Sequence, residues 1–287
     1  ACASKTSKVS VCEIYLRHTT NWAQGMEHHL RRYKIALAGV VVCALLLYFP
    51  VVGFDFLQID DVGYLLNPVV AGGISWDGVI WAFSTVEFDQ WMPVTMLSLM
   101  LDVELFGLES ASGWHLVNVL IHAANCLLLA VALRGLSMPP WQRLIAVALF
   151  ALHPMHVEVV AWVVERKELL AMSFGLMSWI AFQRWRQHSE YAVYVLSCLA
   201  FLACLASKPM WVTWPVVLWL LDWSVTGFRW RSLAVSVIDK LPLFVISVAI
   251  SLVTLYAVAP WMLAIAERPM MANSEISVLA AYGYYLE

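Results

Sequence analysis

The chain has 287 residues, 62% of them hydrophobic and 13% charged, with a net charge of −3 and a mean hydropathy of +0.77. Soluble domains stay near roughly half apolar and about a quarter charged residues, so this composition excludes a soluble fold. The basic residues stand in short pairs between apolar runs, which leaves no stripe able to track a phosphate backbone and excludes nucleic acid as a partner.

The first 34 residues form a polar arm ending in Arg31-Arg32-Tyr33-Lys34. Disorder and docking to a membrane-complex partner both fit this arm. The apolar run that follows lacks a small-residue cleavage site, so it reads as a retained first span rather than a signal peptide. A span takes about 20 predominantly apolar residues, and the sequence predicts spans near 35–52, 114–133, 141–159, 169–185, 192–206, 210–221 and 241–260. Another starts near Ile276 and is cut off at Glu287. The expected fold class is all-α, a polytopic transmembrane helix bundle over 35–287. Residues 76–83 and 93–106 of the first loop read as helices too short or too acidic to span, and are expected along the membrane interface.

Orientation follows from basic residues in short loops. Arg31, Arg32 and Lys34, Arg134 and Arg143, Arg184 and Arg186, and Arg229, Arg231 and Lys240 fall at alternate turns, which makes their side and the N-terminal arm cytoplasmic. The first loop, 53–112, has no Lys or Arg and carries nine carboxylates, among them Asp55, Asp60, Asp61, Asp102 and Glu104; it is expected on the extracytoplasmic side. Cys43, Cys126, Cys198 and Cys204 lie in apolar runs without metal-ligand spacing, so they read as small buried hydrophobes rather than zinc ligands or disulfides.

Charged groups at membrane depth need a partner or a purpose, and three clusters on the outer side stand out. Asp60-Asp61 follows the first span; adjacent carboxylates repel, so the pair suits a general base or a divalent-cation site, although a loop turn also accounts for it. His153-Pro154-Met155-His156-Val157-Glu158 precedes Trp162 and Glu165-Arg166-Lys167-Glu168. On a continuous helix Glu158 and Trp162 would share one face with Glu165 and Arg166 about two turns later, which would make a sugar and phosphate site; capping and snorkelling charges are the plainer reading. His153 and His156 could ligate a metal, but they lack the paired spacing of zinc helices. Lys208, in Ser207-Lys208-Pro209-Met210, either snorkels or faces a bound anion. Trp211, Trp214, Trp219 and Trp223 read as interface-belt and packing residues.

The set of motifs resembles the membrane part of the transmembrane and tetratricopeptide-repeat O-mannosyltransferase family and its bacterial relatives. The matching stretches are Asp60-Asp61 with Asn67-Pro68, Leu105-Phe106-Gly107-Leu108, Trp114-His115-Leu116-Val117-Asn118-Val119-Leu120-Ile121-His122, Phe150 to Glu158, Arg166-Lys167-Glu168-Leu169-Leu170, and Ser207-Lys208-Pro209-Met210 leading to Leu221-Asp222-Trp223. The resemblance implies a GT-C fold and an enzyme that takes a sugar, typically mannose, from a polyprenyl-phosphate carrier to a protein or glycan acceptor on the periplasmic or lumenal side. It further implies Asp60 or Asp61 as the base and inversion at the anomeric carbon. Arg166 and Lys208, with His153 or His156 and Glu158, would serve the carrier phosphate and sugar. No cofactor is required beyond an optional divalent cation at Asp60 and Asp61. One departure is Trp91-Met92-Pro93 where relatives commonly have Arg-Pro, which removes a cation that would meet the carrier or hold the loop. The chain also shows no 34-residue repeat and stops inside a span, as a fragment or a shortened member would. A non-catalytic membrane subunit scaffolding a larger complex is the alternative, ahead of a transporter, for which no inverted repeat is visible.

Overall fold

The computed structural model describes residues 11–58, 61–86, 90–136, 138–226 and 237–266, with side chains there except for 11–29, 222–226, 257, 258 and 260–266. Among them every element is helical. Helix α1 (Val11–Tyr48) runs through the expected boundary at Lys34 without a break, then passes through a 3-10 turn, Phe49–Gly53. The first loop folds into α2 (Asp61–Leu65), α3 (Pro68–Ala71), α4 (Trp76–Ser84) and α5 (Pro93–Phe106). The long helices follow: α6 (Ser112–Ala132), α7 (Pro140–Leu152), the short α8 (His156–Ala161), α9 (Arg166–His188) and α10 (Tyr191–Ser207). A 3-10 turn, Pro209–Thr213, leads to α11 (Trp214–Thr226), and α12 (Leu241–Ala266) ends the described part. The span expected from Ile276 lies outside the described residues.

Local chemistry sets these boundaries. Asn67 and Ser75 cap α3 and α4, accepting from the amides of Val69 (2.9 Å) and Gly78 (3.0 Å), while Pro68 and Pro93 occupy first-turn positions where no amide donor is needed. Helix α5 stops at Gly107, whose φ of +70 glycine tolerates. His153-Pro154 ends α7, since the residue before proline disfavours helix.

Two segments, Leu30–Gly53 and Ser112–Gly135, are long and apolar enough to cross a membrane by length and composition, and Pro140–Leu152, Tyr191–Ser207, Pro209–Leu221 and Leu241–Tyr256 are shorter apolar helices among the described residues. Helix α9 has 23 residues, about 35 Å at the helical rise and so longer than the hydrocarbon core. Its charged ends, Arg166-Lys167-Glu168 and Arg184 with Arg186, lower its hydropathy. The outer faces of α1 and α12 expose Val42, Leu46, Val245, Val248 and Leu252, a large apolar surface of the kind lipid covers.

The principal core lies where α1, α6, α7, α9 and α10 meet, around Cys126, Val147, Leu176, Phe201 and Leu205. Gly175 lets α9 approach closely, because a β-carbon there would stand 3.3 Å from the Trp211 ring. A second core holds the loop helices through Met96, Leu99, Met100, Trp114 and Val163. Helix α5 is the second of the two loop helices expected along the membrane interface. It is built into the bundle, and Thr95 Oγ1 donates to the Ser207 carbonyl at the end of α10 (2.9 Å). Met92, the residue standing where relatives commonly have arginine, is buried in the same core.

Candidate functional site

The site is organised by a break between α8 and α9. The chain extends at Trp162 (φ −89, ψ 119) and turns helical again at Arg166, so the expected continuous helix carrying Glu158, Trp162, Glu165 and Arg166 is corrected to two helices with a kink. Distant side chains hold the kink. Asn118 of α6 donates to the carbonyls of Val160 (3.4 Å), Trp162 (3.1 Å) and Val163 (3.4 Å). The fully buried Asp61 accepts from the amides of Val164 (3.1 Å) and Leu57 (2.9 Å).

Arg166, the first residue of α9, is fully buried. Its guanidinium pairs with Asp102 of α5. It also donates from Nε to Asn118 Oδ1 (2.7 Å), from Nη2 to the Trp114 carbonyl (2.9 Å) and from Nη1 to Ser98 Oγ (3.2 Å). One arginine thus ties α5, α6 and α9 together. Burial pushes the Asp102 carboxyl above the ordinary carboxylate range, against the opposing charge and hydrogen bond of Arg166.

The next residues face a different environment. Lys167 pairs with Glu165 (2.9 Å), and Lys208 bridges Glu168 (2.8 Å) and Glu165 (3.4 Å). Burial alone would lower Lys208, but the hydrogen bonds and charges of Glu168 and Glu165 outweigh it and hold the ammonium above its ordinary value. Trp211 Nε1 lies 3.5 Å from Glu168 Oε2. This ladder of two lysines and two glutamates borders a cavity of about 140 Å³ whose walls include Asn125, Phe150, His156, Glu168, Met172 and Trp211. His156 packs on Phe150 with ring centroids 4.5 Å apart and stands 5.3 Å from His122.

Of the residues singled out in the sequence, the structure brings His156 and Lys208 to this cavity and its ladder, with Glu168 and Trp211 beside them. Arg166 and Asp61 lie behind it, inside the fold. His153 and Glu158 are exposed on the α7–α8 turn and the outer side of α8, and Asp60 lies outside the described residues. His153 Nδ1 accepts from the Met155 amide (3.2 Å). Among the described residues no group of three or more His, Cys, Asp or Glu is arranged to hold a metal ion. Asp61 directs both oxygens to backbone amides. Sequence reading passed over Asp102 and Asn118 as site residues. The available signal was a carboxylate and an amide inside the apolar helices α5 and α6.

No family model matches the chain, and no solved structure does. Curated proteins do match. Protein O-mannosyl-transferase Tmtc2 of Drosophila melanogaster is 32% identical over 157 residues, 51% of this chain and 17% of its own length. Protein O-mannosyl-transferase Tmtc1 of the same organism is 30% identical over 184 residues, 62% of this chain and 21% of its own. Human protein O-mannosyl-transferase TMTC4 is 31% identical over 112 residues, 34% of this chain and 15% of its own. The chain spans about a fifth of the length of the first two. It resembles the O-mannosyltransferase family, as its motif series indicates.

Proposed function

We propose, from this kinship with the protein O-mannosyl-transferases, that the chain is membrane-embedded glycosyltransferase machinery of GT-C type. It moves a sugar, mannose, from a polyprenyl-phosphate carrier to an extracytoplasmic protein or glycan acceptor. The observation that carries this reading is Lys208, held charged by Glu165 and Glu168 beside a cavity that His156 and Trp211 help to line.

In the proposed reaction a carboxylate of the Asp60-Asp61 pair takes the proton of the acceptor hydroxyl. The oxygen attacks the anomeric carbon from the face opposite the carrier, the bond from that carbon to the phosphate oxygen breaks, and the configuration inverts. Both described oxygens of Asp61 are engaged, which favours Asp60 as the base and Asp61 as the residue that positions its loop. Lys208 meets the charge that develops on the departing lipid phosphate. Glu168, sharing that ammonium, is placed to bind sugar hydroxyls, and the Trp211 ring offers an apolar face. Arg166 keeps α9 and its ladder in place through Asp102 and Asn118 and leaves the phosphate to Lys208.

The test is transfer of radiolabelled mannose from polyprenyl-phosphate-mannose to membrane acceptors. Asp60→Asn and Lys208→Gln, each shown to fold by its melting curve, are expected to lose transfer by about 100-fold or more. Parental rates in both variants would overturn the assignment. The mutual neutralisation of Lys167, Lys208, Glu165 and Glu168 favours a second reading, a non-catalytic subunit within a larger complex. Absence of transfer from any common carrier sugar by the parent protein would select it.

A further inference from the structure

A second cavity lies well away from this site. It is an apolar groove of about 560 Å³ between α6, α9 and α10. Along α9 its wall is one stripe, Phe174, Met177 and Ile180, ending at Arg184; these positions recur every three or four residues and share a helix face. From Phe174 to Arg184 the stripe extends about 15 Å at the helical rise. Leu196 and Ala203 of α10 form part of the facing wall.

Arg184 is exposed at the end of the groove, and no ion pair holds it among the described residues. Gln183 Nε2 donates to the Ala132 carbonyl (3.1 Å), which brings the end of α6, with the exposed Arg134, to the same end. Arg186 and His188 stand on the last turn of α9, with Glu190 at the start of α10 and Asp239 beside Tyr194. An apolar channel ending at the exposed Arg184 guanidinium matches an amphiphile with an anionic head and a hydrocarbon tail.

We propose that this groove holds one anionic phospholipid of the surrounding leaflet, its acyl chain along Phe174 and Met177 and its phosphate at Arg184. Arg184 lies 18 positions beyond Arg166 on α9, about 27 Å by the helical rise, so the lipid site is separate from the transfer site and independent of the reading given to it.

Native mass spectrometry of the detergent-purified chain, titrated with phosphatidylglycerol or with phosphatidylcholine of identical chains, tests the proposal. One phosphatidylglycerol is expected to be retained at concentrations where phosphatidylcholine is not. Arg184→Gln should weaken that retention about fivefold. Ala203→Trp, which fills the groove without touching the charge, should abolish it, and Arg32→Gln, a basic residue elsewhere, should leave it intact. Equal retention of the two lipids, or undiminished retention in both groove variants, overturns the proposal. Displacement of phosphatidylglycerol by equimolar polyprenyl phosphate also overturns it, because the occupant would then be a carrier lipid.

Discussion

The pairing of Arg166 with Asp102 separates two roles that look alike in a sequence. A cation near a span end can receive a phosphate or can hold helices together, and here the guanidinium is buried with its donors engaged by Asp102, Asn118, Trp114 and Ser98. Removing one partner of a buried pair leaves an uncompensated charge and costs about 3–5 kcal/mol, whereas replacing both by apolar residues is often neutral. Asp102→Leu is therefore expected to destabilise the protein by about that amount in chemical unfolding, and the double variant Asp102→Leu with Arg166→Met to recover most of it. If Arg166 binds the carrier phosphate, the double variant will fold and fail in transfer. If its role is structural, transfer survives. Lys208 gives the matching pH prediction. Its native pKa is raised above the unfolded value of 10.5, so its stabilising contribution is complete below that pH and is lost only as the pH rises through the native value. The stability difference between parent and Lys208→Gln should be constant from about pH 7 to 9 and shrink above 10.5.

At the level of helices, what could be read from the sequence was what short-range chemistry decides. The loop helices expected at 76–83 and 93–106 correspond to Trp76–Ser84 and Pro93–Phe106, because Ser75, Pro93 and Gly107 mark their ends locally. The span expected near 141–159 instead stops at Leu152 and resumes as the short α8, because the residue before Pro154 disfavours helix. The kink after Ala161 was not visible in the sequence, since Trp162-Val163-Val164-Glu165 contains neither glycine nor proline. It is held by Asn118 and Asp61, which lie 44 and 103 positions away from the carbonyl and amide they bind, and no local pattern reports such partners. The burial of α5 was hidden for a related reason. Its acidic residues pointed to the membrane interface, and it is Arg166, far along the chain, that makes the Asp102 carboxylate compatible with the interior. Asn118→Ala should therefore act on the kink. Its loss leaves buried carbonyls without a donor, at a cost of about 1–3 kcal/mol, and amide exchange at Val163 and Val164 should accelerate while the middle of α9 stays protected. Uniform acceleration along α9 would mean that the kink is set by the backbone and not by Asn118.

At the scale of the molecule, charge sorts to two ends. Arg166, Lys167 and Lys208 gather at the start of α9 with Glu165 and Glu168. The opposite group shows the same clustering through other contacts: Arg143 lies over the Tyr33 ring (5.4 Å), beside Arg32 and Lys34, and Lys240 over the Phe182 ring (4.9 Å). The first set is balanced by carboxylates, and two members of the second, Arg143 and Lys240, lie over aromatic rings. A membrane sorts such ends because an excess of basic residues in short loops stays cytoplasmic while carboxylates contribute little. On that rule we propose that the loop helices and the Lys208 ladder lie outside, where a carrier sugar and an acceptor would meet, and the α9–α10 hairpin with Arg184 inside. Single cysteines read this directly. With the native cysteines replaced, Ser110→Cys should react with a membrane-impermeant maleimide in intact cells, and Gln187→Cys only after permeabilisation. The converse pattern would invert the orientation and put the ladder on the cytoplasmic face, where transfer to an extracytoplasmic acceptor could not occur. Equal labelling of both cysteines in intact cells would place both ends of α9 on one side, which 23 helical residues with charges at each end could satisfy only by lying along the surface rather than crossing.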